Sequence, residues 1–154
     1  MKLINTENKL ELIIKDDLLK EIGELAVKQY PNEFGGFLIG QYTNNFKTVE
    51  ITNVILPLKY KGSPTSFLRL TNDISGVFRD AFNNSGQYYV GEWHSHPNGS
   101  TKYSQTDLNA MIEIVDCDTV SIKNPILLIL SVNNKSMNKF TFYYYNNKNL
   151  VPYE

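Results

Sequence analysis

Two kinds of apolar pattern alternate along this chain, and their interleaving constrains the fold more than any other feature of the sequence. Extended β-branched runs are separated by stretches whose apolar residues recur at helical spacing, which favours a mixed α/β arrangement over segregated helices and strands. Residues 10–14 read as a short strand, after which Asp16 or Asp17 caps a helix with Leu18, Ile22, Leu25 and Ala26 on its apolar face and Pro31 as its stop. Residues 34–42 (FGGFLIGQY) and 48–58 (TVEITNVILPL) form a predicted hairpin across Thr43-Asn44-Asn45. Residues 59–66, with Gly62 and Pro64, read as a loop. A second helix, capped by Thr71 or Asn72, turns Val77, Phe78, Ala81 and Phe82 inward and stops at Asn83-Asn84-Ser85-Gly86. Residues 88–94 then form a strand, and Ser104 opens a third helix with Leu108, Met111, Ile112 and Val115 on one face. Strands over 126–132 and 140–145 flank the turn-rich segment 133–138, and residues 150–154 are too short to classify.

At 154 residues and 42% hydrophobic content, the chain is expected to form one domain, 1–154, with a core of its own. Fifteen basic against sixteen acidic side chains leave a net charge of −1, so no global field draws it onto nucleic acid or an anionic membrane. The single cysteine, Cys117, cannot form an internal disulfide and has no further histidine to activate it, so it reads as a small buried residue. The opening MKLINTENKL lacks the apolar run of a signal peptide, and the longest apolar stretch, 125–132, is far short of the roughly 20 residues that cross a bilayer. A soluble, cytoplasmic protein is expected. The tyrosines at 88–89 and 143–145 read as strand faces packed into the core.

The chemistry concentrates in Glu92-Trp93-His94-Ser95-His96-Pro97, with Ser104 and Asp107 a few residues on. His94 and His96 are the only histidines, and on an extended segment residues two apart point to the same side. Asp107 lies in the first turn of the third helix, so a loop from strand to helix brings a carboxylate beside two imidazoles. Two histidines and one carboxylate leave one open position on a tetrahedral Zn²⁺, the catalytic pattern. Taken alone, a His-x-His pair is equally a surface strand pair, and Ser104-Gln105-Thr106-Asp107 is equally a helix start resembling a capping box. Their combination with an upstream glutamate is what carries the signal.

That glutamate is Glu33, in Pro31-Asn32-Glu33-Phe34-Gly35-Gly36-Phe37-Leu38-Ile39-Gly40. A glutamate followed by Gly-x-Leu-x-Gly, then His-Ser-His-Pro, then Ser-x-x-Asp after seven residues, resembles the JAMM motif of the MPN (JAB) metallopeptidases. The resemblance covers most of the chain and implies a three-layer α/β/α sandwich around a curved mixed sheet, related in architecture to the cytidine deaminases. It implies that His94, His96 and Asp107 ligate Zn²⁺, that Glu33 is the general acid/base, and that Ser104 helps stabilise the oxyanion. Many members of that family carry a tryptophan two residues before the first motif histidine, where this chain has Glu92. Glu92 alternates onto the same side as the two histidines and so competes with Glu33 as acid/base, or orients an imidazole. The Gly-Glu-Trp-His-Ser-His-Pro wording is similar to a bacterial branch that includes small peptidases found beside conjugation and antiphage-signalling genes.

By that resemblance the expected activity is hydrolysis of a peptide or isopeptide bond at the C-terminal tail of a ubiquitin-like protein or conjugate. The partner is then a protein with an extended tail, for which segments 59–66 and 98–103 are the candidate holders. Processing of a sulfur-carrier protein is the nearest alternative, because the same site would serve it. A catalytically silent scaffold is a third reading, opposed by the fact that every ligand position is filled. Zinc deaminase chemistry uses a Cys-x-x-Cys pair, which a chain with one cysteine cannot supply.

Overall fold

The computed structural model describes residues 1–70 and 74–154, so the proposed helix cap at Thr71 or Asn72 lies outside the described residues. Its elements in chain order are β1 (Lys2–Asn5), β2 (Leu10–Ile14), α1 (Asp16–Lys28), β3 (Gly35–Thr43), β4 (Thr48–Ile55), β5 (Lys59–Ser63), β6 (Ser66–Leu70), α2 (Ile74–Ser85), β7 (Tyr88–Pro97), α3 (Gln105–Asp116), β8 (Ile126–Val132), β9 (Met137–Asn146) and β10 (Asn149–Pro152). Eight strands form one mixed sheet in the order β1-β2-β4-β3-β7-β8-β9-β10, with β2/β4 and β7/β8 parallel and the other neighbours antiparallel. The two ends of that sheet approach each other. Ile4 and Glu154 exchange backbone hydrogen bonds of 2.9 and 3.3 Å, and the Asn5 side chain donates to the Pro152 carbonyl, so the sheet curls nearly into a barrel.

The period-2 alternation of the central strands sorts the helices onto opposite faces. Leu128 and Leu130 of β8 and Trp93 of β7 join Leu18, Leu19, Ile22 and Ala26 of α1 in one buried cluster. Leu127 and Ile129, pointing the other way, join Met111 of α3 and Tyr143 and Tyr145 of β9 in a second. Phe37, the neighbour of the α1-facing Leu38, packs edge-on against Phe78 of α2. The layering is therefore α1, sheet, then α2 and α3, the expected mixed α/β sandwich. Among the described residues, no helix is long and apolar enough to cross a membrane.

Several expectations are corrected. Segment 59–66 is not a loop: β5 and β6 form a separate antiparallel hairpin, pairing Lys59 with Leu70 through Ser63 with Ser66. Neither Asp16 nor Asp17 caps α1. Both lie in its first turn, where their charge suits the helix dipole, and the N-cap is Lys15, with no side-chain cap. Phe82 is 55% exposed, because α2 meets the sheet through Phe78 while Phe82 comes one turn later, near the helix end. Cys117 is exposed, because it is the C-cap of α3, past the helical turns that pack on the sheet. Residues 149–152 are a strand, the edge partner of β9.

Candidate active site

The site forms where β7 ends, beside its parallel neighbour β8 and its antiparallel neighbour β3. Strand alternation puts the His94 and His96 side chains on one side, with their Nε2 atoms 3.0 Å apart. The loop that follows is tied down rather than free. Asn98 N–H donates to the Val132 carbonyl, Ser131 Oγ donates to the Gly99 carbonyl, and Tyr143 Oη donates to the Thr101 carbonyl. That loop delivers the chain to Ser104, the N-cap of α3, where a complete capping box forms. Asp107 N–H donates to Ser104 Oγ at 3.2 Å, and Ser104 N–H donates to Asp107 Oδ2 at 2.6 Å.

The capping box leaves Asp107 Oδ1 free to face His94 Nε2 at 3.1 Å, while Oδ2 lies 3.9 Å from His96 Nε2. One atom from each of His94, His96 and Asp107 lies within 4.8 Å of the others. A tetrahedron with metal–ligand bonds of roughly 2.0–2.1 Å has edges of about 3.3 Å; the 3.0 and 3.1 Å spacings are close to that edge, and the 3.9 Å spacing is wider. His96 has a hydrogen bond suited to a metal ligand: its Nδ1 lies 2.8 Å from the Ser100 carbonyl, which can only accept, so Nδ1 carries a proton and the neutral ring would offer Nε2 to an ion. Burial alone would raise the Asp107 carboxyl, but the hydrogen bond and charge of His94 and the Ser104 donors outweigh it and hold the group well below the usual carboxylate range.

Glu33 reaches the same place through strand register. Gly35 pairs with His94, so two residues earlier the chain lies opposite His96. Gly35 is required there: a Cβ would stand 2.2 Å from the Trp93 carbonyl oxygen and 2.9 Å from the His94 Cβ. Ser95, the buried residue between the histidines, accepts from Phe34 N–H at 3.1 Å through Oγ and donates its own N–H to the Phe34 carbonyl at 2.8 Å. On its other side, Glu33 N–H donates to the Ser63 carbonyl of β5 at 2.8 Å. Burial pushes the Glu33 carboxyl up, the His96 charge lowers it and the Asp107 charge raises it, leaving a net rise.

Glu92, the competing glutamate, has a different partner. It is buried and paired with the guanidinium of Arg69 from β6, a partner not recognised in the sequence. Burial raises its carboxyl and Arg69 opposes the rise, with a smaller opposing effect from His94. The structure therefore brings Glu33, His94, His96, Ser104 and Asp107 to one end of the sheet and commits Glu92 to an ion pair. Asp116 and Asp118, at the end of α3, are exposed. Ser95 was not legible as part of the site, and segment 59–66, expected beside it as a loop holding a tail, is instead most of the β5–β6 hairpin that reaches Glu33. The hint for the hairpin was Phe67 and Arg69 at a spacing of two.

A mixed α/β fold carrying a His-His-carboxylate cluster with a neighbouring glutamate defines a class of hydrolytic metal sites. A family model described as prokaryotic homologs of the JAB domain matches residues 15–143, and the chain belongs to that family. A protein from Enterobacter hormaechei subsp. hoffmannii (strain UCI 50), named CD-NTase/cGAS isopeptidase, is 29% identical over 120 residues, which is 77% of this chain. The match spans 66% of that relative's length. The fold is similar to the solution structure of a Desulfitobacterium hafniense protein, with a TM-score of 0.66 and 16% identity over 92% of this chain and 88% of that one. A Salinibacter ruber protein is similar at a TM-score of 0.57 and 22% identity, over 84% of this chain and 79% of that one.

Proposed function

We propose that this protein is a zinc-dependent metallopeptidase that hydrolyses a peptide or isopeptide bond at the C-terminal tail of a ubiquitin-like protein or conjugate, in the cytoplasm. The observation that carries the reading is the convergence of a half-buried glutamate on a His-His-Asp cluster whose spacing suits one tetrahedral ion. His94, His96 and Asp107 would hold Zn²⁺, which when bound supplies Lewis acidity that acidifies water and polarises a scissile carbonyl. Glu33 takes the proton from the attacking water and returns it to the leaving amine; its raised pKa suits a group that must do both near neutral pH. The hydroxyl oxygen of Ser104 accepts from the Asp107 N–H, and in this reading its hydrogen turns to the oxyanion as that charge develops.

An extended tail suits the surroundings. Among the described residues β6 pairs with β5 alone, so its other edge is available to a strand-like peptide. The name of the Enterobacter relative supports a protein conjugate as substrate, and makes conjugates of a CD-NTase or cGAS-type protein the first to try.

The test is to incubate the zinc-loaded protein with such conjugates and with the products of neighbouring genes, locating any cleaved bond by mass spectrometry. Cleavage at the end of a tail, lost in Glu33→Gln, is the expected result. Cleavage unaffected by Glu33→Gln, or no hydrolysis of any tail or conjugate, would overturn the proposal.

A further inference from the structure

The β5–β6 hairpin stands outside the main sheet, and an isolated two-stranded hairpin is marginally stable in water. Two groups dock it. Tyr60 and Phe67 pack on Phe34, with ring centroids 5.0 and 5.7 Å away, and Arg69 reaches inward to Glu92 of β7. The Arg69 side chain is 18% exposed and that of Glu92 9%, and the guanidinium lies over the rings of Phe37 and Phe67 at 5.3 and 5.7 Å. An ion pair this far from water resists opening, because separating the charges would strand one of them in an apolar surround.

The docked hairpin in turn holds the backbone of Glu33. The Ser63 carbonyl accepts the Glu33 N–H at 2.8 Å. Gly62 lets the strands approach that closely, since a Cβ there would lie 2.7 Å from the Glu33 carbonyl oxygen. Tyr60, Gly62, Phe67 and Arg69 share one face of the hairpin by its register, so the ion pair and the close approach of Gly62 to Glu33 lie on the same face.

We infer that Arg69 and Glu92 are positioning residues for the acid/base: their ion pair locks the hairpin to β7, and through the Ser63 carbonyl the hairpin fixes where the Glu33 carboxylate sits. The inference rests on the reading of Glu33 as the acid/base. Its first consequence, a coupling between Arg69 and the Glu33 amide, does not depend on that reading.

Amide hydrogen exchange on the metal-free protein measures the coupling directly. Arg69→Met should speed exchange at Glu33 and at the β5–β6 amides by on the order of 10-fold, leaving Leu38 and Leu128 unchanged, as for a local opening. Arg69→Lys, which keeps the charge, should restore most of the protection, and Glu92→Gln gives an independent approach from the other partner should Arg69→Met fail to fold. With the zinc-loaded protein, Arg69→Met should lower kcat roughly 10- to 100-fold, the effect of a small displacement of a reacting group, with zinc content unchanged. Unchanged exchange at Glu33 would overturn the inference, as would equal acceleration at Leu38 and Leu128. So would a rise in KM with kcat intact, which would make the hairpin a substrate grip only. A wild-type protein with no hydrolytic activity would instead overturn the proposed function, while the exchange data would still decide the coupling.

Discussion

Ser104→Ala separates two roles that meet in one hydroxyl. As an N-cap, Ser104 Oγ accepts from Asp107 N–H at 3.2 Å, and its loss costs about 1 kcal/mol. In a domain of this size that is a fall in Tm of roughly 2–4 °C. The other half of the capping box survives, because Asp107 Oδ2 is held by the backbone N–H of residue 104, which alanine retains. Asp107 should therefore keep its orientation, and the variant should bind zinc as the wild type does. If the hydroxyl hydrogen also meets the oxyanion, kcat should fall by a further factor of about 10²–10³, with KM little changed, because the contact exists only in the transition state. Ser104→Gly sharpens the test: glycine at an N-cap costs only a few tenths of a kcal/mol, so its Tm should be near normal while kcat falls as far. Calorimetry, metal analysis and steady-state kinetics well below unfolding measure the three quantities. Undiminished kcat in both variants would refute the oxyanion role and leave Ser104 as a cap alone.

Glu33→Gln should turn over orders of magnitude more slowly while binding zinc normally, checked by single-turnover kinetics beside metal analysis, because an amide cannot accept the water proton. In the metal-free protein the same variant should change the pH dependence of stability. Burial raises the Glu33 carboxyl above 4.5 in the folded state, so its contribution is fully present below the unfolded pKa and is lost as pH rises through the folded one. Tm of Glu33→Gln minus that of wild type should thus grow more positive as pH rises from about 4 towards neutrality. Ser95→Ala should destabilise by about 1–3 kcal/mol in chemical unfolding, because it strands the buried Phe34 N–H, and should lower kcat through the adjoining Glu33.

The strands and helices that carry strong periodicity were legible in the sequence: β2 and β8 run over the residues expected, and Ser104 opens α3 as its capping pattern indicates. The convergence of His94, His96 and Asp107 was legible because the histidines sit two apart on a strand and Asp107 sits in a first turn, so local geometry nearly determines it. Glu33 was legible only through the family resemblance. Its approach to His96 depends on the antiparallel register of β3 with β7, and register is a property of two strands together. The β5–β6 hairpin was missed because β5 carries a single apolar side chain, Tyr60, and its support comes from Phe34 and Glu92, distant in sequence. Glu92 was weighed as an acid/base because nothing local reveals that Arg69 occupies it. Phe82 misled for a related reason: helical spacing marks a face, but the sheet ends before that face does.

Metal stoichiometry measured by native mass spectrometry on the purified protein, and on its His94→Ala/His96→Ala variant, decides whether the two imidazoles hold zinc. The account predicts about one Zn²⁺ per wild-type chain and none in the variant, with the variant still folded, since a core of this size does not depend on a metal for its stability. Zinc retained at full occupancy without both imidazoles, or a wild-type chain that takes up no zinc when it is supplied, would contradict it.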